Sequence, residues 1–220
     1  DKLATKNGTV YEKDNPDNSI PFKKLFNKGG WVPVTGELMG RGVYSNPKGY
    51  VEAETGQGHP VAYYSYGCLG IELGINVETG EMKIMQASAW FDCGQVLNPI
   101  ATVAQLEGAV SMGIGQACFE ETIFNAEGKL INPSFRDYKI PTMMDSPENS
   151  TITVGLVGHP FKDGPFGAKG IGEVALAPVP PAVANAINDA LGIQINDIPM
   201  TRERVFWAIQ KKRDELKKVQ

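Results

Sequence analysis

The texture of apolar and polar positions changes near Pro60, and that change orders the chain. Residues 1–60 are rich in Gly, Pro, Asn and Lys, with short apolar pieces such as Trp31-Val32-Pro33-Val34. Such a stretch predicts an extended or loop-like segment laid over a neighbouring surface. Beyond Pro60, residues 61–77 and 81–91 are two apolar-rich runs around Glu78-Thr79-Gly80, the pattern of a β-hairpin. The second run alternates imperfectly, with Lys83, Met85 and Ala87 set against Ile84, Gln86 and Ser88. Asn98-Pro99 opens a helix: Asn caps, and Pro suits the first helical position, where its missing N–H is not needed. Ile100, Val103, Ala104, Ala109 and Val110 fit its buried face. Gly108, Gly113 and Gly115 each cost about 1 kcal/mol there relative to Ala, which points to close backbone approach.

A second hairpin is expected around Asn125-Ala126-Glu127-Gly128, and a short strand over 151–158. An alanine-rich helix follows over 180–191, stopped by Gly192. Ile193-Gln194-Ile195 reads as a short strand, and Thr201 as the cap of a last helix with Val205, Phe206, Ala208 and Ile209 toward one face. Hairpins with interspersed helices predict an α+β fold, divided into a lead-in over 1–40 and one domain over 41–220.

Composition narrows the partners. With 220 residues, 42% hydrophobic and 21% charged, the chain has the make-up of a globular protein with a real core. A net charge of -4 gives no electrostatic reason to expect nucleic acid or anionic lipid. The basic run Lys211-Lys212-Arg213 with Lys217-Lys218 is broken by Asp214 and Glu215 and reads as a solvated helix face. Cys68, Cys93 and Cys118 are scattered, which fits neither an iron–sulfur nor a structural zinc site and suggests a reducing compartment. His59 and His159 are too far apart in sequence to suggest a metal pair. No apolar run approaches the ~18 residues of a membrane span. The expected location is the cytoplasm.

The candidate chemistry lies in residues 164–173, where Gly164, Gly167, Gly170 and Gly172 precede a helix-forming run. Such a loop leaves N–H groups uncovered for a polar or anionic ligand, although glycine content alone fits a tight strand-to-helix turn equally well. It matches neither the dinucleotide fingerprint nor the P-loop, since Lys169 is not followed by Ser or Thr. Glu173 closes the loop against Val174-Ala175-Leu176-Ala177; partial burial there would raise its pKa toward that of a useful base. The plainer alternative is a carboxylate complementing a helix dipole.

Gly167-Ala168-Lys169-Gly170-Ile171-Gly172-Glu173 resembles the signature loop of the xanthine dehydrogenase/aldehyde oxidase family of molybdenum hydroxylases. Further segments resemble that family in its order: Asp92-Cys93-Gly94 with Leu97-Asn98-Pro99, Gln105-Leu106-Glu107-Gly108-Ala109, Met112-Gly113-Ile114-Gly115, Glu120-Glu121 and Tyr138-Lys139-Ile140-Pro141. The likeness spans roughly residues 40–209, and several motifs in register make chance a poor explanation. Gly56-Gln57-Gly58 looks like a family cofactor loop too, but lies too close to Gln105 and is read as structural.

The resemblance implies the C-terminal part of a molybdopterin-binding subunit, with Glu173 as the catalytic base beside molybdenum. It implies that Gln105 and the backbone of Ala168, Lys169, Gly170, Ile171 and Gly172 hold the pterin, and that no side chain here ligates the metal. The reaction implied is oxidative hydroxylation of an aldehyde or N-heterocycle carbon with water. The pterin is expected in its cytosine dinucleotide form, with iron–sulfur clusters and FAD on partner chains or domains. The family's earlier cofactor segments are missing, and the chain starts at Asp1, so it reads as a fragment or as a subunit of a divided enzyme. Two alternatives stay open: a non-catalytic assembly module of the same fold, and a phosphate- or nucleotide-binding protein.

Overall fold

The computed structural model describes residues 2–25, 41–45, 49–147 and 151–219. Two compact units are present, Asp1–Ser45 and Asn46–Gln220. In the first, β1 (Leu3–Lys6), β2 (Thr9–Glu12) and β3 (Asn15–Pro21) form an antiparallel sheet, followed by one helical turn, α1 (Phe22–Leu25). Residues 3–21 are therefore paired strands within the segment expected to be extended or loop-like. The cause is local: Asn7 and Gly8 both take positive φ, +50° and +72°, the geometry of the two-residue hairpin turn that Asn-Gly favours. The Trp31-Val32-Pro33-Val34 piece lies outside the described residues.

The second unit begins with a small pair, β4 (Tyr50–Val51) and β5 (Gly58–His59), and centres on the hairpin β6 (Gly67–Ile75) and β7 (Met82–Asp92). On β6, Leu69, Ile71, Leu73 and Ile75 face inward at alternate positions. On β7 the alternation slips because Glu72 pairs Gln86 while Leu73 pairs Ile84, leaving Met85 as a bulged residue. Ile84 and Ala87 thereby both reach the core although three positions apart. After α2 (Pro99–Cys118), β8 (Ile152–Val157) adds in parallel beside β7, giving the order β6-β7-β8.

Helix α2 starts as its sequence predicts, with the Asn98 side chain accepting from the Ala101 N–H at 3.1 Å. Its Leu106, Val110 and Ile114 are fully buried. Helix α3 (Val179–Leu191) buries Val179, Val183 and Ile187 along one stripe, each contributing about 1.5–3 kcal/mol. It meets α2 at Gly113, where any Cβ would collide with Val179. Gly192 ends α3 in a left-handed cap. Helix α4 (Arg202–Val219) begins with Thr201 Oγ1 accepting from the Arg204 N–H at 3.2 Å and buries Val205 and Ile209.

Three expectations need correction. Ile193-Gln194-Ile195 pairs with no strand among the described residues; Ile193 and Ile195 instead pack partly buried against the core. The basic run of α4 is not wholly solvated, for Lys212 donates to the carbonyls of Leu191 and Gly192, and Arg213 pairs with Glu78 at 2.6 Å. A cation at the carbonyl end of α3 complements that helix's dipole. The hairpin around Asn125 is reduced to one bridge, Phe124–Leu130, because Asn132 replaces ladder partners with its side-chain amide. No helix among the described residues is long and apolar enough to cross a membrane.

Candidate functional site

The glycine-rich loop is fastened to the end of β7. Gly94 sits at φ +63°, and a Cβ there would lie 2.5 Å from the Gly167 carbonyl, so only glycine lets loop and strand approach. Across this contact the Gln95 N–H donates to Gly167 O at 2.8 Å and the Lys169 N–H to Cys93 O at 3.0 Å. The Lys169 ammonium pairs with Asp92 at 2.5 Å and donates to the Tyr64 carbonyl at 3.1 Å. Both charged side chains are about one-twentieth exposed, at 5% and 6%. Burial alone would raise the Asp92 pKa. The ammonium of Lys169 and the N–H groups of Gly94 and His159 outweigh it and hold the carboxyl below its ordinary value. Burial, then the Asp92 charge, push the neighbouring Cys93 thiol up.

Further along, the Gly170 N–H donates to the Tyr63 hydroxyl at 2.6 Å, and Tyr63 packs on Phe161 with ring centroids 4.9 Å apart. Gln105, on the first half of α2, donates from Nε2 to the Gly172 carbonyl at 2.5 Å. Its Oε1 keeps its capacity to accept. The N–H groups of Ile171, Gly172 and Glu173 have no acceptor among the described residues. Three successive N–H groups without a partner among the described residues can donate to an anionic or strongly polar group.

Loop and helix together line a groove of about 460 Å³, bounded by Cys93, Asn98, Thr102, Gln105 and Ile171 among others. Of the sequence-predicted residues, Gln105, Ala168, Lys169, Ile171 and Gly172 line it. Gly170 is held on Tyr63, and Glu173 follows directly as an exposed carboxylate. The expected partial burial of Glu173 is thus not found: the residue is exposed, while Val174 after it packs partly buried against the core. The Lys169 ammonium is spent on Asp92, and its N–H on the Cys93 carbonyl. A larger hollow of about 740 Å³ lies farther along α2, lined by Met112, Glu120, Pro141 and Met143. Its one carboxylate, Glu120, already accepts from the Tyr138 hydroxyl at 2.8 Å, so the smaller groove has the better chemistry. Sequence reasoning missed Tyr63, more than a hundred residues from its partner, and no local signal marks it.

The family described as molybdopterin cofactor-binding domain matches residues 1–147, ending before the glycine-rich loop. Among relatives, a probable hypoxanthine oxidase of Escherichia coli K12 is 32% identical over 87% of this chain and 18% of its own length. Subunit gamma of the 6-hydroxypseudooxynicotine dehydrogenase complex of Paenarthrobacter nicotinovorans is 34% identical over 67% of this chain and 18% of its own. The crystal structure of quinoline 2-oxidoreductase from Pseudomonas putida 86 superposes with a TM-score of 0.71 at 26% identity, covering 95% of this chain and 26% of that one. This chain therefore spans about a fifth to a quarter of the length of these relatives. The matched domain, these relatives and the shared fold place the chain in the molybdopterin cofactor-binding family of the xanthine dehydrogenase/aldehyde oxidase-type molybdenum hydroxylases, a family of molybdopterin-dependent oxidoreductases.

Proposed function

We propose that residues 41–220 act as the C-terminal part of a molybdopterin-binding domain, with residues 1–40 as a lead-in, and that Glu173 is its general base. The enzyme so completed would hydroxylate an aldehyde or N-heterocycle carbon of a small molecule, with water as the oxygen source. The observation that carries this reading is the Gln105–Gly172 bond, which ties the loop carrying Glu173 to the helix that walls the groove. The residues present fit a pterin: a groove with polar lining residues such as Gln95, Asn98 and Gln105, and N–H groups of Ile171, Gly172 and Glu173 that have no partner among the described residues.

Gln105 and the backbone of Ala168, Lys169, Gly170, Ile171 and Gly172 would hold the cofactor, Gln105 by its amide oxygen and the loop by the N–H groups of Ile171 and Gly172. Those of Ala168, Lys169 and Gly170 already donate to the Pro165 carbonyl, the Cys93 carbonyl and the Tyr63 hydroxyl. When bound, the molybdenum–pterin group supplies the two-electron oxidation and the oxygen transfer. Glu173 takes the proton that activates the water-derived oxygen. A carboxylate does this well when it is held within hydrogen-bond reach of that proton. Iron–sulfur clusters and flavin on partner chains or domains would supply the electron transfer, and the pterin would carry a cytosine dinucleotide. The remaining cofactor-binding portion is supplied by another chain or domain, and the assembly works in the cytoplasm.

Replacing Glu173 by Gln keeps shape and polarity but removes the base. In the complete assembly, Glu173→Gln is expected to retain molybdenum and pterin while turnover falls by about 10²–10⁴-fold. Turnover close to that of the parent, at equal molybdenum content, would remove Glu173 from the chemistry and leave the assembly-module reading in its place.

A further inference from the structure

We propose that Lys169 is a positioning residue: its ammonium, paired with Asp92 at the end of β7, sets the conformation of the glycine-rich loop and so aims Glu173. The proposal rests on the reading of Glu173 as the base and adds to it the device that holds that base in place.

Residues 170–172 separate Lys169 from Glu173, and two of the three are glycines. Glycines leave the backbone free to wander, so the path of this segment must be imposed by its attachments. Downstream, Gln105 grips the Gly172 carbonyl, and at the middle Tyr63 accepts from the Gly170 N–H. Upstream the attachment is Lys169. Its side chain is 5% exposed, so the ammonium is turned inward rather than offered to a ligand. One carboxylate, Asp92, organises both sides of the junction: Oδ2 takes the Lys169 ammonium at 2.5 Å and Oδ1 takes the Gly94 N–H at 2.9 Å. The Tyr64 carbonyl accepts a further bond from the same ammonium at 3.1 Å.

A buried ion pair is weak evidence for stability, because apolar residues of similar volume often stabilise as well. What the pair adds is direction. An ammonium with two fixed acceptors admits one placement of the loop, where an apolar side chain would admit several. Misplacing a catalytic group by about 1 Å can cost ~10²-fold in rate.

The test uses the complete cofactor-containing assembly with three readouts: molybdenum content, kcat against KM, and hydrogen–deuterium exchange at the amides of Gln95, Lys169 and Gly170. Lys169→Met is expected to speed exchange at those amides by about tenfold or more and to lower kcat by about 10–100-fold, with KM nearly unchanged. Because the single variant leaves Asp92 buried and uncompensated, the double variant Asp92→Asn/Lys169→Met is made alongside it. The double variant is expected to regain normal thermal unfolding yet keep fast exchange and low kcat. Lys169→Arg, which keeps the charge, is expected to recover most of both. Wild-type exchange and kcat in the double variant would overturn the proposal, as would fast exchange with full kcat. If Glu173→Gln stays active, the base assignment fails, while unchanged exchange in the Lys169 variants is a separate failure of the anchor.

Discussion

At the scale of single residues, the account turns on charges and thiols whose surroundings decide their behaviour. Asp92 has its pKa lowered, so the pair it forms with Lys169 stabilises the fold fully above the ordinary carboxyl value of about 3.9. That stability is lost as pH falls through the lowered folded value. Denaturant unfolding between pH 7 and pH 3 should show an acid limb below about pH 4 that flattens in Asp92→Asn; an unchanged limb would mean that other carboxyls carry it. The thiols should separate as sharply. Cys68 is exposed, whereas burial pushes Cys118 up to about 12 and, with the charge of Asp92, raises Cys93. Alkylation near pH 8 should label Cys68 well before the other two; equal labelling would contradict their burial. Several of these residues were visible in the sequence, since Asp92, Gln105, Lys169 and Glu173 all fall in motifs. Their partners were not. That Lys169 would turn inward to Asp92, 77 residues away, depends on a loop folding back over a strand end.

At the scale of elements, capping and turn chemistry read well and pairing read poorly. Asn98-Pro99 announced α2 and Gly192 announced the end of α3, because caps act within a few residues of themselves. The β7 bulge at Met85 was foreshadowed only as broken alternation, and the Asn7-Gly8 turn carried a hairpin signal that a loop-rich composition obscured. Ile193-Gln194-Ile195 has strand-like composition but finds no partner edge among the described residues, and pairing is a property of neighbours rather than of the segment. Losing the Asn98 cap should cost about 1 kcal/mol, measured as the denaturation midpoint of Asn98→Ala; no change would show the cap to be redundant. At Gly113 two effects compete. Gly→Ala gains about 1 kcal/mol of helix propensity, but overpacking against the fully buried Val179 costs about 1–3 kcal/mol. The collision should win, and Gly113→Ala should unfold at lower temperature.

At the scale of the whole molecule, the chain is proposed to supply one wall of a site. Its loop, helix and strand end line a groove, the exposed Glu173 follows directly on the lining residue Gly172, and its relatives have about four to five times its length. The α+β class and the family were legible because hairpins, caps and motif order survive in sequence. The exposure of Glu173 was not, because burial of that carboxylate depends on what stands opposite the loop. The most direct test is the structure of the complete, cofactor-containing assembly. The account predicts the Glu173 carboxylate facing the molybdenum side of the cofactor, within hydrogen-bond reach of the oxygen it deprotonates, with Lys169 still on Asp92. A carboxylate pointing away from the cofactor would contradict it.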